Sequence, residues 1–212
     1  MESQELLGAL NWRYATKKFD PNRKLDLKTL NTLLEATRLS ASSMGLQPYK
    51  FIHVKDVGVR ESLKEHSFNQ TQITDASDMI VFAALNSISD EHIEQYARTE
   101  GELRNRTEEQ IERKIKSTKA YVDRMNADEQ FIWNSKQAYI SMGTLLSTAA
   151  LLNVDACPME GINPKEYDRI LQLEALNLRS LAVVTLGFRS SEDAYSDQSK
   201  FRFPKGQIIK TI

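Results

Sequence analysis

A chain of 212 residues, 41% of them hydrophobic and 27% charged, suits one compact domain spanning residues 1–212, with a core that needs no covalent staples. Its 28 basic and 29 acidic side chains leave a net charge of −1, which excludes the bulk positive field of a nucleic-acid or anionic-membrane binder. A single cysteine, Cys157, excludes an internal disulfide. The isolated His53, His66 and His92 lack metal-ligand spacing, and no two glycines stand at the G-x-G interval of a dinucleotide loop or P-loop.

The start, Met1-Glu2-Ser3-Gln4-Glu5, is acidic where a signal peptide would be basic, and no segment nears the roughly 20 apolar residues of a bilayer span. A cytoplasmic protein is expected. Ser3 is a candidate cap for a helix through residue 13, with Leu6, Leu7 and Leu10 on one face. Asp20-Pro21-Asn22 makes a turn, and Asp26 caps a second helix bearing Leu27, Leu30, Leu33 and Leu34. A loop of small residues, Ser40 to Gly45, then leads to a strand over Tyr49–Val54 and a short helix over Val57–His66. Met79–Leu85 is an apolar run of strand length, expected to be covered on both faces. The charged residues 89–125 predict one long or two broken surface helices. Asp128–Leu152 predicts a helix whose later part, Ala138–Ala150, is apolar or small nearly all round and must be buried in the core or against a partner. Asn163-Pro164 opens a helix through Leu171, Arg179–Phe188 holds a second buried strand, and the tail from Ser196 to Ile212 has no core of its own. Few strands among many helices imply an α+β fold with a small mixed sheet.

Five clusters could carry chemistry. Arg13-Tyr14-Ala15-Thr16-Lys17-Lys18 offers cations for a phosphate or an anionic ring; helix-end cations also simply complement the helix dipole. Ser42-Ser43-Met44-Gly45 could wrap a polar ligand or be an ordinary connecting loop. In Phe68-Asn69-Gln70-Thr71-Gln72 the Asn amide can donate and accept at once, which suits a uracil-like edge, although turn Asn residues often satisfy their own backbone. Pro158-Met159-Glu160-Gly161 could present backbone N–H groups to a reactive ring or merely end a helix. Lys200-Phe201-Arg202 would place two cations on one face of an extended segment, as an anion site or as a charged edge.

The succession R-Y-A-T-K-K-F-D, S-S-x-x-x-Q-P-Y, F-N, P-M-E-G and K-x-R, running from about Leu7 to Pro204, resembles the nitroreductase family, and within it the oxygen-insensitive NAD(P)H nitroreductase and dihydropteridine reductase branch. The resemblance implies a mainly antiparallel sheet flanked by helices in an intertwined homodimer, with FMN as cofactor. By it, Arg13, Lys200 and Arg202 bind the FMN phosphate, and Lys17 sits by the pyrimidine edge of the flavin. Ser42 and Ser43 come from the opposite subunit, Asn69 bonds the pyrimidine edge, and Glu160 and Gly161 offer backbone amides to the ring. Tyr14, Ala15, Gly45, Gln72 and Pro158 complete the cofactor shell. Met44, Phe68 and Tyr121 border the substrate channel, and Lys17 and Glu160 are the implied catalytic positions. No metal is implied.

Three positions depart from the family pattern: Ala15 replaces a frequent Ser, Gly45 an Asn and Gln72 a Lys. The last change removes a positive charge near the ring. The activity implied is electron transfer from NADH or NADPH to nitroaromatics, quinones or pteridines by ping-pong kinetics. The alternatives are a dehalogenating or flavin-consuming enzyme of the same fold, and a cofactor-free helical interaction protein.

Overall fold

Side-chain caps set where the helices begin. In the computed structural model, which describes residues 2–212, Asp26 accepts from the Thr29 amide ahead of the helix Leu27–Arg38, and Asp56 does the same for Val59 ahead of Val57–Glu65. In chain order the helices are α1 (Ser3–Trp12), α2 (Leu27–Arg38), α3 (Val57–Glu65), α4 (Gln72–Asp75), α5 (Asp90–Leu103), α6 (Glu108–Val122), α7 (Ala127–Leu151), α8 (Pro164–Ile170) and α9 (Lys205–Ile208). Thr107 with Gln110, and Asn126 with Glu129, form reciprocal capping boxes on α6 and α7. Ser3 is the first helical residue of α1 and not its cap; Glu2 holds that place, its amide donating to the Glu5 carboxylate at 2.9 Å. Met1 lies outside the described residues.

Four strands, β1 (Tyr49–His53), β2 (Asp78–Leu85), β3 (Asp155–Met159) and β4 (Leu178–Gly187), pair in the order β1-β2-β4-β3, antiparallel throughout. A parallel bridge, Ala15 to Ala156, lies against β3. The sheet is thus mainly antiparallel, as the resemblance implied, with that bridge its parallel contact. Between β2 and β4 the register slips after Phe82, which faces Ala182 while Ala83 faces Ser180, so Leu181 is the extra residue of a bulge. Strand β3 goes unread in the sequence because it is short, opens on Asp155 and contains Pro158. Its place at the edge of the sheet is where a proline costs no ladder hydrogen bond.

The apolar run in β2 splits by the two-residue strand period. Met79 and Val81 face a cluster with Phe19, Leu63, Cys157 and Tyr167; Ile80 and Phe82 face another with Leu33, Met142, Leu145 and Ala149. Helices α3 and α8 supply the first face and α2 and α7 the second. Each such buried side chain contributes about 1.5–3 kcal/mol. Only one side of α7 is consumed this way. Tyr139 and Ile140 on the other side are 38% and 48% exposed, so within one chain the apolar helix is half covered.

Residues 89–125 form two helices rather than one. Arg98 of α5 pairs with Glu108 and Glu112 of α6, and Lys119 of α6 returns to Asp90 and Glu94, which defines an antiparallel hairpin. Its interior is Ile93, Ala97, Ile111, Ile115 and Val122, packed with Leu46 and Ile88. Gly101 is required there, since a Cβ would lie 2.5 Å from the Ile111 side chain. The tail expected to lack a core exposes Phe201, Phe203, Ile208 and Ile209.

Candidate active site

Beyond α1 the chain runs along the outer edge of β3. The Thr16 amide donates to the Ala156 carbonyl at 3.3 Å, and Asp20 to Phe188 at 2.9 Å. Asp193, only 2% exposed, fixes this segment: its Oδ2 accepts from the Lys17 amide at 2.8 Å, the Lys18 amide at 3.1 Å and the Tyr14 hydroxyl at 3.0 Å, while Oδ1 accepts from the Tyr195 amide at 3.0 Å. Burial alone would raise the Asp193 pKa; these donors outweigh it, and the net shift is downward. The Tyr14 hydroxyl is pushed up to about 12, first by burial and then by its bond to Asp193. Behind the segment, buried Asp155 accepts from the Arg189 Nε at 2.7 Å, and that guanidinium lies 4.3 Å from the Trp12 ring centroid and 4.5 Å from that of Tyr14. The Lys17 backbone is thus held firmly while its side chain is exposed.

At one end of this edge, Arg13, Lys200 and Arg202 line a groove of about 490 Å³ floored by Leu10, Gly143 and Ser147. The Lys200 ammonium donates to the Leu10 carbonyl. Arg13 is shifted below its ordinary pKa by burial and by the charge of Arg202; Lys200 is shifted down by burial, Arg13 and Arg202. Among the described residues none of the three has a carboxylate partner within ion-pair distance, whereas Arg38, Arg98, Arg104, Arg106, Arg113, Arg169 and Arg189 all do. Converging cations that depress one another call for an anion, and a phosphate monoester fits the chemistry of two guanidinium forks and one ammonium.

At the other end, β3 runs out into Glu160 and Gly161. Phe68 and Asn69 have φ of 53° and 54°, a left-handed pair that turns the loop over Gly161, where a Cβ would come within 3.3 Å of the Phe68 ring and of the Gln70 amide. Phe68 is 81% exposed. Gln72 is buried, and the pKa of the nearby buried Cys157 thiol is raised by burial, which the Lys17 charge offsets only in part. The Tyr139 hydroxyl of α7 donates to Glu160 Oε1 at 2.5 Å, and its pKa is raised by burial and by that carboxylate.

The structure therefore gathers Arg13, Tyr14, Ala15, Lys17, Gln72, Pro158, Glu160 and Gly161 along one edge, with Lys200 and Arg202 at the Arg13 end and Phe68 and Asn69 beside Gly161. It does not gather Ser42, Ser43, Met44 and Gly45 there. That turn is held by the Gln137 side chain, which accepts from the Ser43 amide at 2.7 Å, and Gly45 lines a separate groove with His92 and Tyr96. Tyr121 of α6 stands apart as well, its ring 6.1 Å from that of Trp133. Sequence reasoning missed Asp193, Arg189 with Asp155, and Tyr139. The first sits in a polar turn and the last in a stretch read only as apolar; nothing in either local sequence points to the partner far along the chain.

The profile of the Nitroreductase family matches residues 10–188, from the end of α1 to just past β4. The chain belongs to the nitroreductase family. A Staphylococcus aureus relative, provisionally named an NAD(P)H nitroreductase, is 32% identical over 96% of this chain and 98% of its own length. The fold is shared with a Staphylococcus epidermidis protein provisionally described as an NAD(P)H:FMN oxidoreductase, at a TM-score of 0.86 and 20% identity over 98% of this chain and 95% of that one. It is shared too with a provisionally described nitroreductase from Exiguobacterium sibiricum, solved with FMN, at a TM-score of 0.84 and 16% identity over 100% of this chain and 98% of that one. Among the described residues no helix is long and apolar enough to cross a membrane.

Proposed function

We propose that this nitroreductase-family protein is a homodimeric FMN-dependent oxidoreductase, passing electrons from NADH or NADPH to small planar acceptors such as nitroaromatics, quinones or pteridines. The observation that carries the reading is the converging trio Arg13, Lys200 and Arg202, without a carboxylate partner among the described residues, which would hold the FMN phosphate. The Staphylococcus aureus relative's name and the FMN in the Exiguobacterium sibiricum structure support it. Lys17, exposed and without a carboxylate partner among the described residues, would place positive charge at the pyrimidine edge, with Asn69 and Gln72 beside it and the Glu160 and Gly161 amides facing the ring. When bound, FMN supplies two-electron hydride chemistry that no side chain of this protein can.

A homodimer would unite the divided site. The uncovered Tyr139–Ile140 side of α7 and the apolar tail give each copy surface to bury, and a second copy would bring Ser42 and Ser43 to the Arg13–Glu160 edge. Donor and acceptor would take turns at one stacking position, because reacting atoms must approach to roughly 3–3.5 Å. The test is a titration of apoprotein with FMN and riboflavin, followed by initial rates at several fixed acceptor concentrations. Much tighter FMN binding and parallel double-reciprocal lines are expected. Equal affinity for the two flavins refutes the phosphate assignment; intersecting lines refute alternation.

A further inference from the structure

The Ser42–Gln47 turn is bent through conformations that its residues resist. Met44, Gly45 and Gln47 have φ of 57°, 74° and 47°, and Met and Gln gain nothing locally from the left-handed region. Contacts from outside must hold it there. Two come from α5, one helical turn apart: the Tyr96 hydroxyl donates to the Met44 carbonyl at 2.7 Å, and His92 Nε2 bonds the Leu46 carbonyl at 2.8 Å. The Tyr96 oxygen also stands 3.0 Å from where a Gly45 Cβ would be, so glycine is needed here for space as well as for φ. The Tyr96 ring is itself held by α6, with Lys114 Nζ 5.2 Å from its centroid. None of these three residues lies on the Arg13–Glu160 edge.

We propose that Tyr96 and His92 are positioning residues: they set the shape in which the Ser42–Gly45 turn meets the cofactor and acceptor of a second copy, so that the α5–α6 hairpin governs acceptor affinity. This rests on the reading that a second copy uses that turn. Losing one neutral hydrogen bond should shift an equilibrium by about two- to tenfold.

Hydrogen exchange of residues 42–49 in flavin-free protein, FMN titration and steady-state kinetics would be compared for the parent, Tyr96→Phe, Gly45→Ala, the double variant and Arg98→Ala. Tyr96→Phe keeps the packed ring. It should quicken exchange by about two- to tenfold and raise acceptor KM by a similar factor, with kcat within about twofold. Gly45→Ala should raise KM less in the Tyr96→Phe background than in the parent, because the contact it makes is with the missing hydroxyl. Arg98→Ala removes two exposed ion pairs that contribute little to holding the hairpin together, touches neither Tyr96 nor the turn, and should leave exchange and KM unchanged. Unchanged exchange in Tyr96→Phe overturns the proposal, as does an Arg98→Ala effect of equal size. Faster exchange with unaltered FMN affinity and KM, in a parent that binds FMN, overturns it alone. A parent that binds no FMN overturns the functional reading and this proposal together.

Discussion

Replacing Asp193 with Asn preserves volume and removes one charge from a site where four donors converge. An Asn can turn its oxygen toward Tyr14, Lys17 and Lys18 or toward Tyr195, and its amide then confronts the other set. Hydrogen bonds to a charged group contribute about 1.5–3 kcal/mol each, but bonds to one atom are not additive, and partial retention brings the net loss to about 2–4 kcal/mol. For a chain of this length that is a fall in Tm of about 5–12 °C, read by circular dichroism at pH 7. The sign with pH follows from the depressed carboxyl. Its stabilisation is present above the unfolded pKa, about 3.9, and is lost as pH falls through the lower folded value. Parent and variant should therefore differ by a constant amount from pH 5 upward, about an order of magnitude in proton activity above that pKa, and converge below it. A gap that persists undiminished into strong acid, or a variant as stable as the parent at pH 7, would refute the claim that this carboxylate organises the Tyr14–Lys18 segment.

Arg202→Ala should weaken FMN binding by about tenfold or more while leaving riboflavin affinity unaltered; equal losses for both would remove Arg202 from the phosphate site. Lys17→Ala should lower the two-electron potential of the bound flavin by about 20–40 mV, measured by dye equilibration, and an unmoved potential would leave Lys17 no electrostatic part at the flavin. Ile140→Glu places a charge on the uncovered side of α7 and should convert a dimer to monomers by sedimentation; a dimer that persists would locate the interface elsewhere.

The apolar runs of β2 and β4 and the Asp26 cap were readable because each signal is local. A strand covered on both faces leaves an unbroken hydrophobic string, and a capping carboxylate stands three residues from the amide it serves. Strand β3 was not, since its polar first residue and its proline are tolerated only by virtue of an edge position that no local pattern reveals. The division of residues 89–125 into two helices turns on the Thr107–Gln110 box, weak beside so many flanking charges. For the site, clustered cations were legible by type, while their convergence came only with the family resemblance and from no local pattern: Arg13 and Lys200 meet because the tail folds back to the end of α1. Asp193 and Tyr139 escaped notice for the same reason, each being defined by a partner that the fold alone brings near.

The α5–α6 hairpin leaves the molecule after β2 and returns at α7, and most of its interior is its own. Such an excursion behaves as a cassette. Lengthening it costs only the slowly growing entropy of a wider loop, and the register of the sheet and the groove of cations are indifferent to its sequence. What must survive any exchange is narrow: the few groups by which it grips the Ser42–Gln47 turn, and the packing at Leu46 and Trp133. If that grip sets acceptor affinity as proposed, exchanging one surface hairpin would alter substrate range while the sheet and its two packed faces stay as they are.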